Sequence, residues 1–467
     1  MTRNQTQPVS LEEITALAKR RGFVYQTGEI YGGLANSYDY GPLGTELLLT
    51  IKSLWWDYFI RRRDDMLGLD SQIMLHPQTW VASGHVDSFT DPLVEDLVTH
   101  KRYRADLLIE DYFKKNPQEQ LVIADLSTKE LADLIDKYQI KSPDGNPLSK
   151  AQDFNILFET AIGAVSDKKS RVYLRGETAQ GIFTNFKQIL NSNRQKLPFG
   201  VGQIGKSFRN EITTGQFVFR TLEFEQAEIE YFFDPEQNNW QDLFRDWQNY
   251  VWDFVTKVLG IDENNLRWRR HTDQERSHYS QETSDLEYHY PFGWKELCGI
   301  AYRTDYDLKK HQEFSQQSLE YTNPQTGKKF LPHVIEPAMG ISRIFLMLLC
   351  DAYQKDPDRE RLLLALKANL APFQLAVFPL LKNKQELVDK ARDVYEQLRQ
   401  KYQVAWDDRG NIGKRYLAQD EIGTPFCLTI DFTTLENDTV TIRHRDSAQQ
   451  ERLAISELDN YLASVLA

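Results

Sequence analysis

The stretch Phe208–Glu228 carries the side chains best suited to chemistry. It holds Arg209 and Arg220 on two predicted antiparallel strands joined by a loop, and arginine at a strand end can grip a phosphate bidentately. Strand alternation places a cation, an aromatic plane and an anion on one face: Arg220, Leu222, Phe224, Gln226 and Glu228. This pattern fits a phosphate-binding face, and it also fits a solvated sheet face with salt bridges.

Other reactive or basic side chains are less specific. His76, His85 and His100 are 9 and 15 residues apart, which matches no zinc pattern, so we assign them structural or surface roles. Three basic stretches fit RNA contact as well as dipole complementarity, strand capping or connecting turns: "RRRDD" at 61–65, "RWRRH" at 267–271, and "DDRGNIGKRY" with Arg409, Lys414 and Arg415.

Composition restricts the class of protein. The 467 residues carry a formal charge of −12, so any RNA-binding surface must be local. The longest apolar stretch, Ile344–Cys350, is far shorter than the roughly 20 residues of a membrane span. The N-terminus lacks an apolar signal core, and three widely spaced cysteines fit reduced thiols. We therefore expect a cytoplasmic protein with no membrane partner.

The elements that position these side chains alternate between helix and strand. Apolar spacing and punctuation predict helices at 11–20, 47–63, 128–138, 239–259 and 341–352, antiparallel strands at 199–233 and 287–307, and no helix in the glycine-bearing stretch 22–44. The charged stretch from about 86 to 160 looks like an insertion. A leucine-rich helix is predicted between Pro357 and Pro372. Strands alternating with helices then indicate a small α/β domain, which gives domains at 1–360 and 361–467.

Several motifs resemble those of class II aminoacyl-tRNA synthetases. F-R-x-E, a loop and R-x-x-x-F-x-x-x-E at 208–228 resemble the second signature of that class. "GFVYQTGEIYGGLANSYDYGPLG" with the following helix resembles the first signature, and "EPAMGISR" the third. Longer fragments resemble the homodimeric glycyl-tRNA synthetase family over most of the chain: "HVDSFTDPLVED", "RGETAQGIFTNF", "YPFGWKELCGIAYRTDYDL" and "NIGKRYLAQDEIGTPFCLTIDF".

This resemblance implies a six- or seven-stranded antiparallel sheet flanked by helices, followed by a mixed α/β anticodon-binding domain. It implies a homodimer that uses ATP and Mg²⁺ to join glycine to its tRNA. The implied catalytic residues are Arg209, Arg343 and Glu296, with Glu296 as the Mg²⁺ ligand. The implied ATP site is formed by Arg209, Asn210, Glu211, Phe219, Arg220, Thr221, Leu222, Glu223, Phe224, Glu296, Leu297, Gly340, Ile341, Ser342 and Arg343.

The glycine site implied by the same resemblance is an acidic pit for the ammonium group. Its residues are Arg104, Glu177, Phe224, Glu225, Gln226, Ala227, Glu228, Arg303, Glu336, Pro337, Ala338, Met339 and Gly340, and Arg102 is an alternative to Arg104. The sequence departs from the family at Ala338, where serine is usual, and at three further positions: Gly176 for proline, Leu222 for arginine and Thr214 for proline.

Two other functions compete with this interpretation. A sister synthetase for another amino acid is disfavoured by "RGETAQG" and by the three acidic residues Glu177, Glu228 and Glu336. A non-catalytic nucleic-acid-binding subunit with a synthetase-like fold, such as a polymerase accessory factor, would lack the ATP arginines and the pit. Amino-acid activation brings two anions together, so it requires cationic groups and positioning rather than a side-chain nucleophile.

Overall fold

The computed structural model of this chain describes residues 9–116, 123, 126–163, 171–211, 216–272 and 279–466. The elements up to residue 193 are α1 (Leu11–Arg21), β1 (Val24–Gln26), β2 (Tyr38–Tyr40), α2 (Pro42–Trp56), β3 (Met66–Gly68), α3 (Pro77–Ala82), α4 (His85–Ser88), β4 (Thr90–Glu95), β5 (Arg102–Arg104), α5 (Ala105–Lys115), α6 (Thr128–Tyr138), β6 (Gln152–Asn155), β7 (Glu159–Ala161), β8 (Arg171–Tyr173) and α7 (Ala179–Asn193).

The remaining elements build the main sheet and the C-terminal unit. They are β9 (Phe199–Phe208), β10 (Glu223–Phe233), α8 (Trp240–Asp253), β11 (Leu266–Arg270), β12 (Glu282–Tyr290), β13 (Gly293–Thr304), α9 (Tyr306–Ser315), β14 (Tyr321–Thr322), β15 (Lys329–Phe330), β16 (His333–Gly340), α10 (Ile341–Ala352), β17 (Tyr353–Asp356), β18 (Arg361–Leu364), β19 (Leu375–Pro379), α11 (Gln385–Leu398), β20 (Val404–Trp406), α12 (Ile412–Ile422), β21 (Phe426–Ile430), α13 (Phe432–Asn437), β22 (Thr439–His444), β23 (Gln450–Ala454) and α14 (Leu458–Val465).

A seven-stranded sheet organises the first part of the chain. Its strand order is β11-β12-β13-β16-β10-β9-β3. Every pairing is antiparallel except the edge pairing of β3 with β9, which is parallel. The predicted antiparallel sheet with flanking helices is therefore confirmed.

The two faces of β10 have different environments because its side chains alternate. Ala227 and Ile229 point into a large apolar core shared with α2, α8 and α10. Phe232 points the other way, into a second cluster formed with α7. The polar side chains Gln226 and Glu228 share the face of Phe232 and are buried. The polar side chains of β10 that could take part in chemistry therefore lie on this second face.

The stretch from about residue 86 to 160 has an apolar cluster of its own. Strands in the order β5-β4-β6 form a three-stranded sheet, against which α5 and α6 pack through Val94, Ile109 and Leu131. The bounds of α6 match the predicted helix. It begins with a capping box between Ser127 and Glu130.

The C-terminal unit is a five-stranded mixed sheet of order β20-β19-β21-β22-β23. Strand β19 runs parallel to both of its neighbours, β20 and β21, whereas the β21–β22 and β22–β23 pairings are antiparallel. Helices α11 and α14 pack on it through Leu387, Val394 and Leu462. The predicted C-terminal α/β fold is confirmed. Across the described ranges, no helix has both the length and the apolar character needed to cross a membrane.

Two element predictions are wrong. Helix α2 begins at Pro42 and includes Gly44, where a Cβ would lie 1.9 Å from the Phe23 carbonyl oxygen. Gly44 therefore serves close packing instead of preventing a helix. The leucine-rich segment after Pro357 is a strand, β18, in a hairpin with β17. The β17–β18 strand pairing places Arg361 in a buried ion pair with Asp420. This tertiary contact outweighs the helix propensity of the leucine-rich segment.

The predicted RNA-facing loop at 407–416 is partly helical. Lys414 and Arg415 lie in α12, and the Arg415 side chain is buried. Its guanidinium donates to the backbone carbonyls of Pro379, Asp408 and Gly410. Arg415 therefore fixes the local fold and is not available to RNA, whereas the Arg409 side chain is 90% exposed.

Candidate active site

A cavity of about 300 Å³ opens on the second face of the main sheet. Many predicted ATP-site and glycine-site residues line it: Glu177, Arg209, Glu211, Phe219, Arg220, Thr221, Phe224, Gln226, Glu228, Glu296, Glu336, Ala338, Met339, Gly340, Ser342 and Arg343. Seven further lining residues lie outside the predicted ATP and glycine sites: His271, Tyr279, Thr283, Asp285, Gly299, Ile300 and Ala301. The structure thus brings residues from β10, β13, β16 and α10 to one site.

The β9–β10 hairpin positions Arg209 beside an aromatic plane. The guanidinium carbon of Arg209 lies 5.3 Å from the ring centroid of Phe224 and 5.1 Å from that of Phe89. Its Nε donates to the Gly176 carbonyl oxygen at 3.0 Å. These contacts leave part of the guanidinium facing the cavity, where an anionic group can meet it.

Arg220 forms the second cationic group of the cavity and pairs with Glu211. Burial lowers the pKa of Arg220 to about 10, and the neighbouring positive charges of Arg104 and Arg343 add to this effect. Arg220 remains charged at neutral pH. Three cations near one cavity would be unfavourable without anions, so this end of the site favours a polyanionic ligand.

Arg343 comes from the first turn of α10. Its Nη1 lies 3.0 Å from Glu296 Oε2, and its guanidinium carbon lies 4.6 Å from the Phe219 ring centroid. The charge of Arg343 holds the pKa of Glu296 below its usual range. A Cβ on Gly340 would lie 3.2 Å from Arg343 Cδ. Glycine at this position therefore leaves room for the arginine side chain.

The acidic pit is formed by Glu177, Glu228 and Glu336, all buried. The backbone amide of Thr178 donates to Glu228 Oε2 at 2.8 Å, and Gln226 donates to Glu228 Oε1 at 3.0 Å. Burial, together with the charges of Glu336 and Glu177, raises the pKa of Glu228 to about 8. The pit therefore holds carboxyl groups that a cation would help to ionise.

Glu177 differs from Glu228 because His85, Arg303 and Gln180 lie beside it. His85 Nε2 lies 3.4 Å and Arg303 Nη2 4.0 Å from the Glu177 carboxylate, and Gln180 donates to it at 2.9 Å. Although burial opposes ionisation, His85 and Arg303 hold the pKa of Glu177 well below its usual range. Glu177 therefore favours the ionised form, in contrast to Glu228.

Arg303 lies at the base of the pit and is 1% exposed. It pairs with Asp307 through Nε at 2.8 Å and Nη2 at 2.9 Å, and with Glu336 through Nη1. The Tyr279 ring centroid lies 4.0 Å from its guanidinium carbon. Because its guanidinium is bonded to Asp307 and Glu336, Arg303 orients these two carboxylates and also supplies positive charge at the pit.

Other predicted site residues lie outside the cavity lining. The side chains of Ala227, Leu297 and Ile341 belong to the apolar core; Glu223 and Glu225 pair with lysines; and Asn210, Leu222 and Pro337 contribute no lining atoms. Arg104 is held by Asp91 and Asp106 at 3.0 and 2.6 Å. The roles assigned to these residues remain predictions. Thr214 lies outside the described residues.

Sequence reasoning missed several residues around the pit. His85 was assigned a structural or surface role, yet it contacts Glu177. Gln180 donates through Nε2 to both Glu177 and Asp307, and its Oε1 accepts from His311 Nε2 at 2.8 Å. Thr178 anchors Glu228. His85 lies in the fragment "HVDSFTDPLVED", and Thr178 and Gln180 lie in "RGETAQGIFTNF". Their positions within these family-like fragments are the signal in the sequence that could have indicated a place near the site.

Two carboxylates of the cavity flank Gly299 and fit a hard divalent cation. A Cβ built there would lie 3.7 Å from Asp285 Oδ1 and 3.8 Å from Glu296 Oε1. Within the part of the chain that the structure describes, no group of three or more metal-ligating side chains occurs. This donor set suits Mg²⁺ bound mainly through phosphates, with one or two protein carboxylates.

The fold and the site define a class II tRNA synthetase. The tRNA synthetase class II core domain family (G, H, P, S and T) matches residues 158–352, and the anticodon-binding domain family matches residues 374–464. The first match covers the strands that carry the arginines and the pit. The second covers the mixed sheet of the C-terminal unit.

Relatives that align over nearly the whole chain identify one family within the class II tRNA synthetases. The chain is 47% identical to a glycine–tRNA ligase of Alkaliphilus oremlandii, with 97% of this chain and 98% of the relative covered. It is 47% identical to one of Clostridium acetobutylicum, with 97% and 98% covered. It is 46% identical to a glycine–tRNA ligase of Staphylococcus haemolyticus, with 98% of this chain and 99% of the relative covered. The chain belongs to the glycine–tRNA ligase family and is an aminoacyl-tRNA ligase.

Proposed function

We propose that this chain activates glycine with ATP in the described cavity and then transfers the glycyl group to the 3′ end of its tRNA. The observation that carries this proposal is the meeting of Arg209, Arg220 and Arg343 with a buried acidic pit in one cavity. The cationic end suits a triphosphate, and the anionic end suits an ammonium group. A non-catalytic nucleic-acid-binding subunit needs neither a triphosphate site nor an ammonium site.

In the first step a glycine carboxylate oxygen attacks the α-phosphorus of ATP and pyrophosphate leaves. Arg209 binds the α-phosphate, where charge builds as the five-coordinate centre forms. Arg343 binds the γ-phosphate, and Phe224 stacks on the adenine. Preorganised cations at developing charge are the largest contribution to such catalysis, and positioning supplies much of the rest.

Mg²⁺ is the proposed metal of this reaction. Glu296 would hold it, with Asp285 across Gly299 as the second carboxylate. When bound, the metal would neutralise charge on the phosphates and the leaving pyrophosphate. Arg343 keeps Glu296 ionised, so the chain presents an acceptor oxygen to the metal at neutral pH.

The pit binds the ammonium group of glycine through Glu177, Glu228 and Glu336. Ala338 and Met339 line the same cavity, and a pocket closed around the α-carbon has no space for a methyl group. Because no amino acid is smaller than glycine, steric exclusion is sufficient and editing is unnecessary. Arg303 keeps two of the pit carboxylates in place.

Glycine binding is expected to depend on pH through Glu228. The pKa of Glu228 is raised to about 8 without substrate, and ammonium binding favours its ionised form, so glycine displaces a proton below that pH. The glycine KM should fall as pH rises from about 6 to about 8, by up to about tenfold per pH unit. The slope should flatten in Glu228→Gln, and a parent enzyme without any slope would contradict this assignment.

The departure at Ala338 gives a second test. Ala338 lies opposite Glu228 across the β10–β16 register and lines the cavity. Replacing Ala338 by serine adds one hydroxyl group beside the pit. We expect glycine affinity to change by about 0.5–1.5 kcal/mol, the contribution of one hydrogen bond, with the ATP KM unchanged. Steady-state exchange kinetics measure both constants, and an unchanged glycine KM would contradict the prediction.

A homodimer is the proposed assembly. The N-terminal signature exposes large apolar side chains, with Ile30 at 87%, Tyr31 at 89% and Leu34 at 56% exposure. Exposed apolar groups of this density mark interaction surfaces. We also place the protein in the cytoplasm, because Cys298, Cys350 and Cys427 are buried free thiols.

Charging of tRNA tests the proposal as a whole. Purified protein should attach labelled glycine to glycine tRNA only when ATP and Mg²⁺ are present. Removal of the metal with a chelator should stop charging, and added Mg²⁺ should restore it. ATP-dependent thermal stabilisation without charging of any tRNA would support a nucleotide-binding protein of different function.

A further inference from the structure

Glu230 is a buried carboxyl group that the proposed mechanism does not use. It follows Glu228 by two residues on β10 and has no solvent exposure. Alternation gives both residues the same face of the sheet, and Phe232, two residues further on, lies in an apolar cluster. Glu230 contributes nothing to the cavity lining. It therefore lies directly behind the wall of the acidic pit.

Glu230 is poorly placed to carry a negative charge. Neither of its carboxyl oxygens accepts a hydrogen bond from a donor within the described ranges. An ionised carboxylate has only acceptor oxygens, and burying one without donors is strongly unfavourable. Burial raises the pKa of Glu230 well above its ordinary value, and the charge of Glu336 adds to the effect. Glu230 is therefore a neutral carboxylic acid.

A neutral acid needs an acceptor for its proton, and Glu336 is placed to be one. The β10–β16 register has the same offset on either side of Glu230, at Glu228↔Ala338 and at Tyr231↔Ile335, which places Glu230 opposite Glu336. Residues directly opposite each other on antiparallel strands have Cβ atoms about 4.5–5.5 Å apart, so the two carboxyl groups lie within reach of each other. Burial raises the pKa of Glu336, whereas Arg303 and Glu230 favour its ionised form. The charged groups that face Glu230 come from four elements: Glu336 on β16, Arg303 on β13, Glu228 on β10 and Asp307 on α9.

Glu336 is thus held from two directions. Arg303 binds its Oε2, and the Glu230 side chain meets it from the neighbouring strand. A carboxylate with partners on two sides has few accessible rotamers, so less entropy is lost when it binds an ammonium group. A freely rotating Glu336 could instead turn fully toward Arg303 and away from the cavity.

We propose that Glu230 is a positioning residue for glycine binding: its protonated carboxyl group donates a hydrogen bond to Glu336 and fixes that carboxylate where the substrate ammonium meets it. This inference rests on the proposed glycine site. Glu230 itself does not touch the substrate.

Two substitutions separate this role from its alternatives. Glu230→Gln keeps the shape and a hydrogen-bond donor toward Glu336, whereas Glu230→Leu keeps similar bulk and removes the donor. Glycine-dependent ATP–pyrophosphate exchange should give a glycine KM within about threefold of the parent for the glutamine variant. The leucine variant should raise it about 10- to 100-fold, because hydrogen bonds to charged groups are strong. The ATP KM should be unchanged in both.

The other outcomes overturn the proposal. Equal impairment of both variants would mean that Glu230 acts through a negative charge, and parental KM values in both would mean that it positions nothing. If the leucine variant does not fold, infrared spectra of the parent and Glu230→Gln provide the test. The parent alone should show the carbonyl band of this protonated acid at neutral pH, and its absence would contradict the neutral form. A parent enzyme inactive with glycine would refute the proposed function instead.

Discussion

Replacing Arg209 with glutamine is expected to lower kcat for glycine-dependent ATP–pyrophosphate exchange by about 1,000-fold. The substitution removes a positive charge at the phosphorus where charge builds in the transition state. It also removes the guanidinium contact with Phe224 at 5.3 Å. The fold should persist, because Arg209 makes one hydrogen bond to the Gly176 carbonyl oxygen, and its loss costs about 1 kcal/mol of unfolding free energy.

A surface arginine provides the matched control for this prediction. Arg245 on α8 is 65% exposed and pairs with Asp242, and it does not line the cavity. Arg245→Gln makes the same chemical change and should leave kcat within about twofold, since exposed ion pairs contribute little. A kcat for Arg209→Gln within tenfold of the parent would remove Arg209 from the catalytic residues.

Arg303→Met is expected to lower the free energy of unfolding by about 3–5 kcal/mol, the usual effect of removing one partner from a buried ion pair. Arg303 is 1% exposed. Without it, the carboxylates of Asp307 and Glu336 would remain buried with no guanidinium between them. Methionine fills much of the arginine volume, so the loss reports on charge more than on a cavity.

Urea unfolding at neutral pH measures this effect. Adding Asp307→Asn to Arg303→Met should recover part of the lost stability, because one uncompensated carboxylate is removed. Arg245→Met should change the unfolding free energy by less than about 0.5 kcal/mol. An Arg303→Met midpoint equal to that of the parent would show that the buried cation is unnecessary for the fold.

Strand periodicity in the sequence was sufficient to predict the central part of the site. Alternation predicted one face for Arg220, Leu222, Phe224, Gln226 and Glu228, and all of these except Leu222 line the cavity, although β10 begins only at Glu223. Local signals also gave α6 and α10 their bounds, because a capping box and a glycine at the N-cap mark where these helices begin. Such features depend on neighbouring residues, which a sequence displays directly.

Features that depend on distant partners could not be predicted from local pattern. The leucine-rich segment at β18 forms a strand because Arg361 pairs with Asp420, which is 59 residues away. His85 joins the pit only because α4 comes next to Glu177 in three dimensions. The neutral state of Glu230 depends on burial and on a carboxylate of the adjacent strand. None of these partners has a fixed spacing along the chain.

Amino-acid-dependent ATP–pyrophosphate exchange, measured with all twenty amino acids on the purified protein, tests the central claim most directly. The arrangement of the arginines and the acidic pit predicts exchange with glycine alone and none with alanine. Exchange with a different amino acid would keep the class of enzyme and contradict the assigned pit. No exchange with any amino acid, from folded protein with ATP and Mg²⁺ present, would contradict the catalytic assignment itself.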